Sequence, residues 1–160
     1  MERAECIAVF SSGSDAAKAA PDRLLLPQWG EAQWSKLFGL TRPRPFRASE
    51  MVIRRGATDR CLYFVAAGSL EVGVTIVDGV SIAPLARIGA GSVIGEQSFF
   101  DGEPRSANVW GVAEGELLQL EYDDFVGFAR EEPALARDFL FALGRVLSSR
   151  LRNTTFRVRR

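Results

Sequence analysis

The middle of this chain alternates apolar and polar positions with a period of two, which is the pattern of a half-buried β-strand. The alternation is clearest where Leu70, Val72 and Val74 are separated by Glu71 and Gly73. Short apolar segments recur on both sides, and we predict strands at 51–53, 61–65, 70–74, 82–88, 107–112 and 117–120. Many short strands at regular spacing indicate a β-sandwich or a β-barrel.

Turn and edge signals separate these segments. The sequence Val77-Asp78-Gly79 is typical of a hairpin turn. Pro84 makes the strand that follows this turn an edge strand or an irregular one. The two prolines within residues 41–46 predict an extended or irregular stretch before the first strand.

Helical periodicity flanks the strands on both sides. Residues 27–38 place Trp34, Leu37 and Phe38 on one helical face. After the strands we predict a short helix at 123–128 and a long one from Pro133 to about residue 152.

The apolar stripe of the long C-terminal helix is broader than one packing contact needs. Its members are Leu135, Phe139, Leu140, Phe141, Leu143, Val146, Leu147 and Leu151. We therefore expect one side of this helix to pack on the strands and another side to meet a partner.

Length and composition set the outline of the protein. A chain of 160 residues is expected to form one domain, which we place at 27–160. Residues 1–26 have no clear period, and we predict a mobile tail with at most a helical turn. The formal net charge is zero, with 20 basic and 20 acidic residues, so nothing general attracts the chain to nucleic acid or to a membrane surface.

The sequence contains no histidine. It therefore lacks the commonest general base and the commonest zinc ligand, which argues against the metal-binding β-barrels that depend on histidine. No nucleophile motif is present either, and we expect neither an enzyme nor a metal site. Asp101 and Glu103 are interpreted as solvated turn residues rather than as an acid–base pair.

The cysteines and the apolar segments bear on location. Cys6 and Cys61 are far apart and form no CxxC pair, which favours reduced cytosolic thiols over a disulfide. No apolar run approaches the roughly 20 residues of a membrane helix, and the N-terminus makes a poor signal peptide. We therefore expect a cytoplasmic protein without membrane contact.

The segment from Gly91 to Val109 carries the clearest chemistry. It places the carboxylate of Glu96 and the guanidinium of Arg105 nine residues apart among glycine, serine and alanine. Glycine lets a backbone approach a phosphate closely, and arginine offers a planar fork that matches two phosphate oxygens. An ionised glutamate only accepts hydrogen bonds and suits a sugar hydroxyl. Together they predict a site for an anion that carries a free hydroxyl.

The order of residues in this segment resembles the phosphate-binding cassette of cyclic nucleotide-binding domains, both the catabolite activator protein-like and the protein kinase A regulatory subunit-like kinds. The matching positions are Gly91, Ile94, Gly95, Glu96, Phe99, Arg105, Ser106 and Ala107. The resemblance extends over roughly residues 35–152. It implies a mainly β protein: a β-jelly-roll barrel of about eight strands with an N-terminal helix and C-terminal helices.

The resemblance implies that Glu96 binds the ribose 2′-hydroxyl and that Arg105 binds the cyclic phosphate. Backbone N–H groups near Ser98 and Phe99, with the Ser106 hydroxyl, would complete the phosphate shell. The ligand-binding set is Gly95, Glu96, Gln97, Ser98, Arg105, Ser106 and Ala107. Ile94 and Phe99 are expected to anchor the cassette to the barrel. The alternative is that Glu96 and Arg105 form an ion pair that braces a long loop.

The choice of base rests on fewer residues. Ser106 stands where the adenine-sensing bacterial branch has serine, so the resemblance favours cyclic AMP, although a serine hydroxyl can also serve cyclic GMP. That branch caps the base from its long C-terminal helix, and the candidates here are Arg150, by cation–π stacking, and Thr154. A solvated helix-end arginine is the alternative for Arg150. Gln97 departs from the apolar residue usual at its position.

Two functional hypotheses follow. The first is a cyclic nucleotide sensor that needs no other cofactor and signals through its C-terminal helix to a second copy or another protein. The second is a barrel of the same fold that binds no ligand and serves for dimerisation or docking. The chain ends at Arg160, and we expect no helix-turn-helix domain. Five arginines in the last eleven residues are interpreted as complementing the helix end rather than as contacting nucleic acid.

Overall fold

The computed structural model describes residues 1–12, 22–75 and 82–158. These residues form five helices and six strands. The helices are α1 (Arg3–Ser11), α2 (Glu31–Phe38), α3 (Glu96–Asp101), α4 (Tyr122–Glu131) and α5 (Pro133–Val158). The strands are β1 (Arg42–Phe46), β2 (Met51–Ile53), β3 (Leu62–Thr75), β4 (Ile82–Gly89), β5 (Val93–Ile94) and β6 (Asn108–Leu120). The chain divides into a β unit, residues 41–122, and a helical unit, residues 1–40 and 123–160.

The β unit is one antiparallel sheet in the order β1-β6-β3-β4. The short strand β2 pairs with β6, and β5 pairs with β3. Strand β4 lies at the end of this order, which confirms the edge strand predicted from Pro84. The predicted hairpin turn at Val77-Asp78-Gly79 lies outside the described residues.

The described sheet has six strands, where the resemblance implied about eight. Two pairs of the predicted segments are continuous strands, and β1 and β5 lie outside the predicted segments. Strand β3 spans the segments 61–65 and 70–74, and β6 spans 107–112 and 117–120. The β3–β6 register shifts three times between Val65 and Leu70, and Gly68 in that stretch has φ +86°. Irregular pairing of this kind bends a strand without ending its hydrogen-bond ladder. Gly68, which resembles a strand end in the sequence, therefore lies at a bend inside β3.

The core of the β unit is apolar and contiguous. Buried side chains from every strand contribute to it, and its members are Phe46, Ile53, Cys61, Tyr63, Val65, Leu70, Ile88, Ile94, Val109 and Leu117. Leu62 and Phe64 are also fully buried, so the first half of β3 is covered on both faces. This half of β3 pairs with β5, which is the strand at the start of the cassette.

The helical unit is built around aromatic side chains. Trp34 packs against Phe38, Trp29 and Phe10, with ring centroids 5.1 to 5.5 Å apart. In α2 the predicted face of Trp34, Leu37 and Phe38 is buried, as expected. The helix begins at Glu31 rather than near residue 27 because Gly30 is its N-cap.

The N-terminal segment differs from the predicted tail. Residues 3–11 form the nine-residue helix α1, and Phe10 on it is buried against the rings of Trp34 and Phe38. Leu24 and Leu26 are buried as well. Burial of these apolar side chains supplies the packing that the composition of residues 1–26 did not reveal.

The C-terminal helices agree with the predicted pattern. Helix α4 covers the predicted segment 123–128, and α5 begins at Pro133 and continues to Val158, six residues beyond the expected end. In α5, Phe139, Leu143 and Val146 are buried. Within the described part of the chain, no helix combines the length and the apolar character needed to cross a membrane.

Candidate functional site

The predicted cassette is a short strand, a short helix and a loop. Strand β5 pairs with β3, placing Ile94 opposite Tyr63, and α3 follows directly. Ile94 and Phe99 are almost fully buried, and the Phe99 ring meets the edge of Tyr122 at 5.6 Å between centroids. Both side chains therefore anchor the cassette within the β unit, as predicted.

Gly95 joins the strand to the helix in a conformation that suits only glycine. It is the N-cap of α3 and has φ +83°, in the left-handed region that costs other residues free energy. A Cβ atom there would lie 2.6 Å from Arg105 Nη1 and 2.9 Å from the Cys61 carbonyl oxygen. The missing side chain of Gly95 is what allows the guanidinium of Arg105 to lie against this turn.

Helix α3 places the other cassette residues at different depths. Glu96 is its first residue and is only 7% exposed, and a carboxylate is favoured at this positive end of a helix. Ser98 is buried, whereas Gln97 is exposed. Because Gln97 faces solvent, a polar residue in place of the usual apolar one carries no burial cost.

The Phe99 N–H is not available in the way predicted. It donates to the Gly95 carbonyl at 3.2 Å and so closes the first turn of α3. In a helix, the N–H groups that point out of the N-terminal end are those of its first residues, and α3 begins with Glu96, Gln97 and Ser98. Any phosphate contact from the α3 backbone would come from these positions instead.

Arg105 is fixed through both its backbone and its side chain. Its N–H donates to Ala57, and its carbonyl accepts from Gly56, each at 2.8 Å. Its side chain is 2% exposed. Nη1 donates to the Gly95 carbonyl at 3.0 Å, and Nη2 donates to the Cys61 carbonyl at 2.7 Å. The guanidinium is thereby held against the turn at Gly95, so the structure brings Gly95 and Arg105 together, and Glu96 is the residue that follows Gly95.

The carboxylate that pairs with Arg105 is Asp59. Its Oδ2 lies 2.5 Å from Nη2 and its Oδ1 lies 3.3 Å from Nε. The hydrogen bond from Arg105 lowers the pKa of Asp59 from its ordinary value, against a smaller opposing effect of burial. Asp59 is 45% exposed, whereas Arg105 is buried, so the carboxylate forms the solvent side of this two-pronged pair.

A second arginine supports the cassette from its other end. Arg60 Nε donates to the carbonyls of Ser98 and Phe99 at 3.2 and 3.1 Å, and Nη2 donates to Phe100 at 2.9 Å. Its guanidinium also lies 3.6 Å from the centroid of the Tyr122 ring. A cation on the last carbonyls of a helix is favourable, and Arg60 therefore stabilises the C-terminal end of α3.

Two neutral groups adjoin the Asp59–Arg105 pair. Burial, reinforced by the Glu121 carboxylate at 3.2 Å from Sγ, raises the pKa of the Cys61 thiol to about 11. Burial raises the pKa of Tyr63 to about 12, with a further contribution from Cys61. Both groups are protonated at neutral pH, so the Cys61 thiol is not a nucleophile there.

The remaining predicted residues lie in two places. In the cassette loop Ser106 is exposed and Ala107 is half-buried. The base-capping candidates belong to the helical unit, where Arg150 Nη2 contacts Asp22 at 3.3 Å and the Thr154 hydroxyl donates to the Arg150 carbonyl at 3.0 Å. Both candidates thus have structural contacts of their own within that unit, and their capping role stays a prediction.

Sequence reasoning missed Asp59 and Arg60. Both lie in the short loop between β2 and β3, and Asp59 is 46 residues away from its partner Arg105 in the chain. No local pattern marks such a contact. Among the described residues, no group of three histidine, cysteine, aspartate or glutamate side chains could hold a metal ion.

A separate apolar groove lies on the helical unit. Its volume is about 620 Å³. The residues that line it are Ala129, Pro133, Ala136, Arg137, Leu140, Phe141, Gly144, Arg145 and Ser148. Phe141 is 68% exposed and Leu151, further along α5, is 66% exposed. The predicted second apolar side of α5 is therefore present on the surface of this unit.

Comparison with known proteins agrees with the fold and covers the segment that contains the cassette. The sequence model of the family described as the cyclic nucleotide-binding domain matches residues 43–132. A cyclic AMP receptor protein of Thermus thermophilus is 31% identical over 65% of this chain and 48% of its own length. A cyclic nucleotide-gated potassium channel of Rhizobium etli is 28% identical over 70% of this chain and 30% of its own length. This chain thus spans about half of the first relative and under a third of the second.

The fold is also that of a solved structure. A crystal structure of a cyclic nucleotide-binding domain from Methylobacillus flagellatus superimposes with a TM-score of 0.80, at 21% identity, over 98% of this chain and 82% of the other. At this identity the likeness concerns the fold alone. The predicted jelly-roll class, mainly β with flanking helices, is confirmed by this match.

Proposed function

We propose, because this chain belongs to the cyclic nucleotide-binding domain family, that it is a regulatory module that binds cyclic AMP in preference to cyclic GMP. The observation that carries this proposal is the buried guanidinium of Arg105, held on the carbonyl of Gly95, which is followed in the chain by the buried Glu96. The guanidinium is assigned to the cyclic phosphate and the carboxylate to the ribose 2′-hydroxyl. Family regulators of this kind bind a nucleotide without transforming it, and we propose no catalytic role.

The site is preorganised for this role. The four described contacts of the Arg105 side chain use four of the five N–H groups that a guanidinium offers. Its position is thus set before any nucleotide arrives, which reduces the entropy lost on binding. A cyclic phosphate would accept a hydrogen bond from the remaining N–H and would compete with Asp59 for the two N–H groups that bind its carboxylate.

The preference for cyclic AMP is proposed from Ser106. Its side chain is exposed at the cassette loop, where a hydroxyl can meet the ligand, and the adenine-sensing branch of the family has serine at this position. The relative from Thermus thermophilus is named as a cyclic AMP receptor protein, which supports the same choice. Arg150 and Thr154 remain the candidates for capping the base.

The role of Glu96 can be tested with a ligand that lacks the ribose 2′-hydroxyl. Calorimetric titration should give binding of cyclic AMP, and 2′-deoxy cyclic AMP should bind about tenfold more weakly. A lost hydrogen bond to a charged group costs roughly 1.5–3 kcal/mol, and 1.4 kcal/mol corresponds to tenfold. In Glu96→Gln, which keeps the shape but loses the charge, the two ligands should differ by less than about threefold.

The two ligands and two proteins form a cycle that isolates the contact. Gln97→Glu adds an exposed carboxylate at the next position and should leave the discrimination intact. Equal affinity of the wild type for both ligands would contradict the assignment of Glu96. A wild type that binds neither cyclic AMP nor cyclic GMP would favour the alternative of a barrel that serves only for dimerisation or docking.

We also propose that the signal leaves through α5 to a second copy of this chain. The groove on the helical unit and the exposed ring of Phe141 offer an apolar surface of the kind that partners cover. A C2 pairing would use the same patch on both copies. Nucleotide binding would then shift an equilibrium between two arrangements of the helices.

Replacing Phe141 with aspartate should weaken self-association by more than about tenfold in sedimentation velocity. The side chain is largely exposed, so the change should not disturb folding, but it would place a charge in the buried interface. Asn153→Asp, on an exposed position of the same helix that does not line the groove and is turned by about 120° from Phe141, is the matched control. A Phe141→Asp protein that associates like the wild type would exclude this surface.

The location is proposed as the cytoplasm. Cys6 and Cys61 are both buried and are not joined in a disulfide, which fits a reducing compartment. Partners other than the nucleotide and a second copy, such as a membrane or nucleic acid, are not part of the proposal.

A further inference from the structure

We propose that Asp59 is a specificity-determining residue that makes the Arg105 site select singly charged phosphodiesters over doubly charged phosphomonoesters. This inference rests on the proposed function, since it concerns the same phosphate site. It names the chemical distinction that the site makes, between a cyclic nucleotide and the 5′-nucleotide that remains when the ring is opened.

The geometry of the pair carries the inference. Both oxygens of Asp59 lie on the Nε and Nη2 edge of Arg105, at 3.3 and 2.5 Å. The side chain of Arg105 is 2% exposed and that of Asp59 is 45% exposed. An anion that approaches the guanidinium from solvent therefore comes close to the carboxylate, whether or not it displaces it.

The charges decide which anion is favoured. One guanidinium paired with one carboxylate presents little net charge to a ligand. A cyclic monophosphate carries a single negative charge, whereas a phosphomonoester carries about −1.5 to −2 at pH 7. The repulsion from Asp59 grows in proportion to the charge of the ligand, so the penalty is up to about twice as large for the monoester.

The groups around Asp59 allow its repulsion of a doubly charged ligand to be measured by comparing binding at two pH values. Asp59 pairs with Arg105, and its charge also acts on the Cys61 thiol and the Tyr63 phenol. The Glu121 carboxylate lies 3.2 Å from the Cys61 Sγ. The thiol and the phenol have pKa values of about 11 and 12, so neither changes charge between pH 5 and 7.5. The hydrogen bond from Arg105 lowers the pKa of Asp59, so its carboxylate stays ionised over the same range. A phosphomonoester, with its second pKa near 6, loses most of its second charge at pH 5.

The experiment compares cyclic AMP with 5′-AMP, which share the base and the ribose, in competition titrations of wild type and Asp59→Asn. At pH 7.5 the substitution should strengthen 5′-AMP binding about tenfold more than cyclic AMP binding, which corresponds to ~1.4 kcal/mol. At pH 5 this difference should fall to less than about threefold. If the wild type prefers cyclic GMP, cyclic GMP and 5′-GMP are used instead.

Two further variants separate charge from structure. Asp59→Glu keeps the charge and should keep the wild-type discrimination. Glu103→Gln removes an exposed carboxylate from the loop that carries Arg105 and should leave the discrimination unchanged. An equal effect of Asp59→Asn on both ligands at pH 7.5, with cyclic AMP still bound, would overturn the inference alone. Failure of the wild type to bind any nucleotide would overturn both the inference and the proposed function.

Discussion

Alanine in place of Arg105 is expected to weaken cyclic AMP binding by at least about a hundredfold. Removing one member of a buried charged contact costs on the order of 3–5 kcal/mol, and 1.4 kcal/mol corresponds to a tenfold change in affinity. The substitution also frees Asp59, which then presents an uncompensated negative charge where the phosphate is proposed to bind. The affinity is to be measured by calorimetric titration at neutral pH.

A matched control for this substitution is Arg87→Ala. Arg87 pairs with Glu71 at 2.7 Å on the same β unit, but its side chain is 65% exposed, and such exposed pairs contribute little. It should bind cyclic AMP within about twofold of the wild type. An Arg105→Ala protein that is folded, by thermal unfolding and circular dichroism, and that binds as tightly as the wild type would refute the assignment of the guanidinium.

Alanine in place of Gly95 is expected to damage both the stability of the fold and the affinity for cyclic AMP. The left-handed backbone at φ +83° costs a residue with a Cβ roughly 1–2 kcal/mol. The added Cβ would also lie 2.6 Å from Nη1 of Arg105, so the guanidinium must shift. We expect binding to fall by more than about tenfold, and chemical denaturation to give a lower free energy of unfolding.

Gly102→Ala distinguishes these two causes. Gly102 caps the other end of α3 at φ +71°, where a Cβ would approach Arg60 no closer than 3.3 Å. It shares the backbone cost but leaves Arg105 in place, so its affinity should remain within about threefold of the wild type. Equal loss of affinity in the Gly95 and Gly102 variants would show that the guanidinium position is not what Gly95 protects.

The β fold was predictable from periodicity, but the strand boundaries were not. Alternation at Leu70, Val72 and Val74 located β3, and the prolines of residues 41–46 did not prevent strand β1 from forming. Gly68 resembled a strand end because glycine is common in turns. Whether such a glycine ends a strand or bends it depends on pairing with β6, which is distant in the sequence.

Helix α1 was missed for a different reason. Its apolar residues show almost no single-sided pattern, and its burial comes from contacts with the rings of Trp34 and Phe38. The local signal was weak: the Glu2 N–H bonds to the carboxylate of Glu5 at 2.8 Å, three residues away, as in a capping box. Tertiary packing, rather than propensity, stabilises this short helix.

Only part of the candidate site was predictable from the sequence. The ordered set around Glu96 and Arg105 was visible in the sequence because the cassette is one continuous segment. The carboxylate of Asp59 and the capping role of Arg60 were not visible, because they depend on how the β2–β3 loop lies against α3. Local spacing thus identified the groups assigned to the ligand, whereas the groups that hold and tune them required the structure.

The most direct measurement is a crystal structure of this chain grown with cyclic AMP. The account predicts the cyclic phosphate within hydrogen-bonding distance of the Arg105 guanidinium and the ribose 2′-hydroxyl on the carboxylate of Glu96. A nucleotide bound elsewhere on the chain, with Arg105 still contacting only Asp59, Gly95 and Cys61, would contradict it.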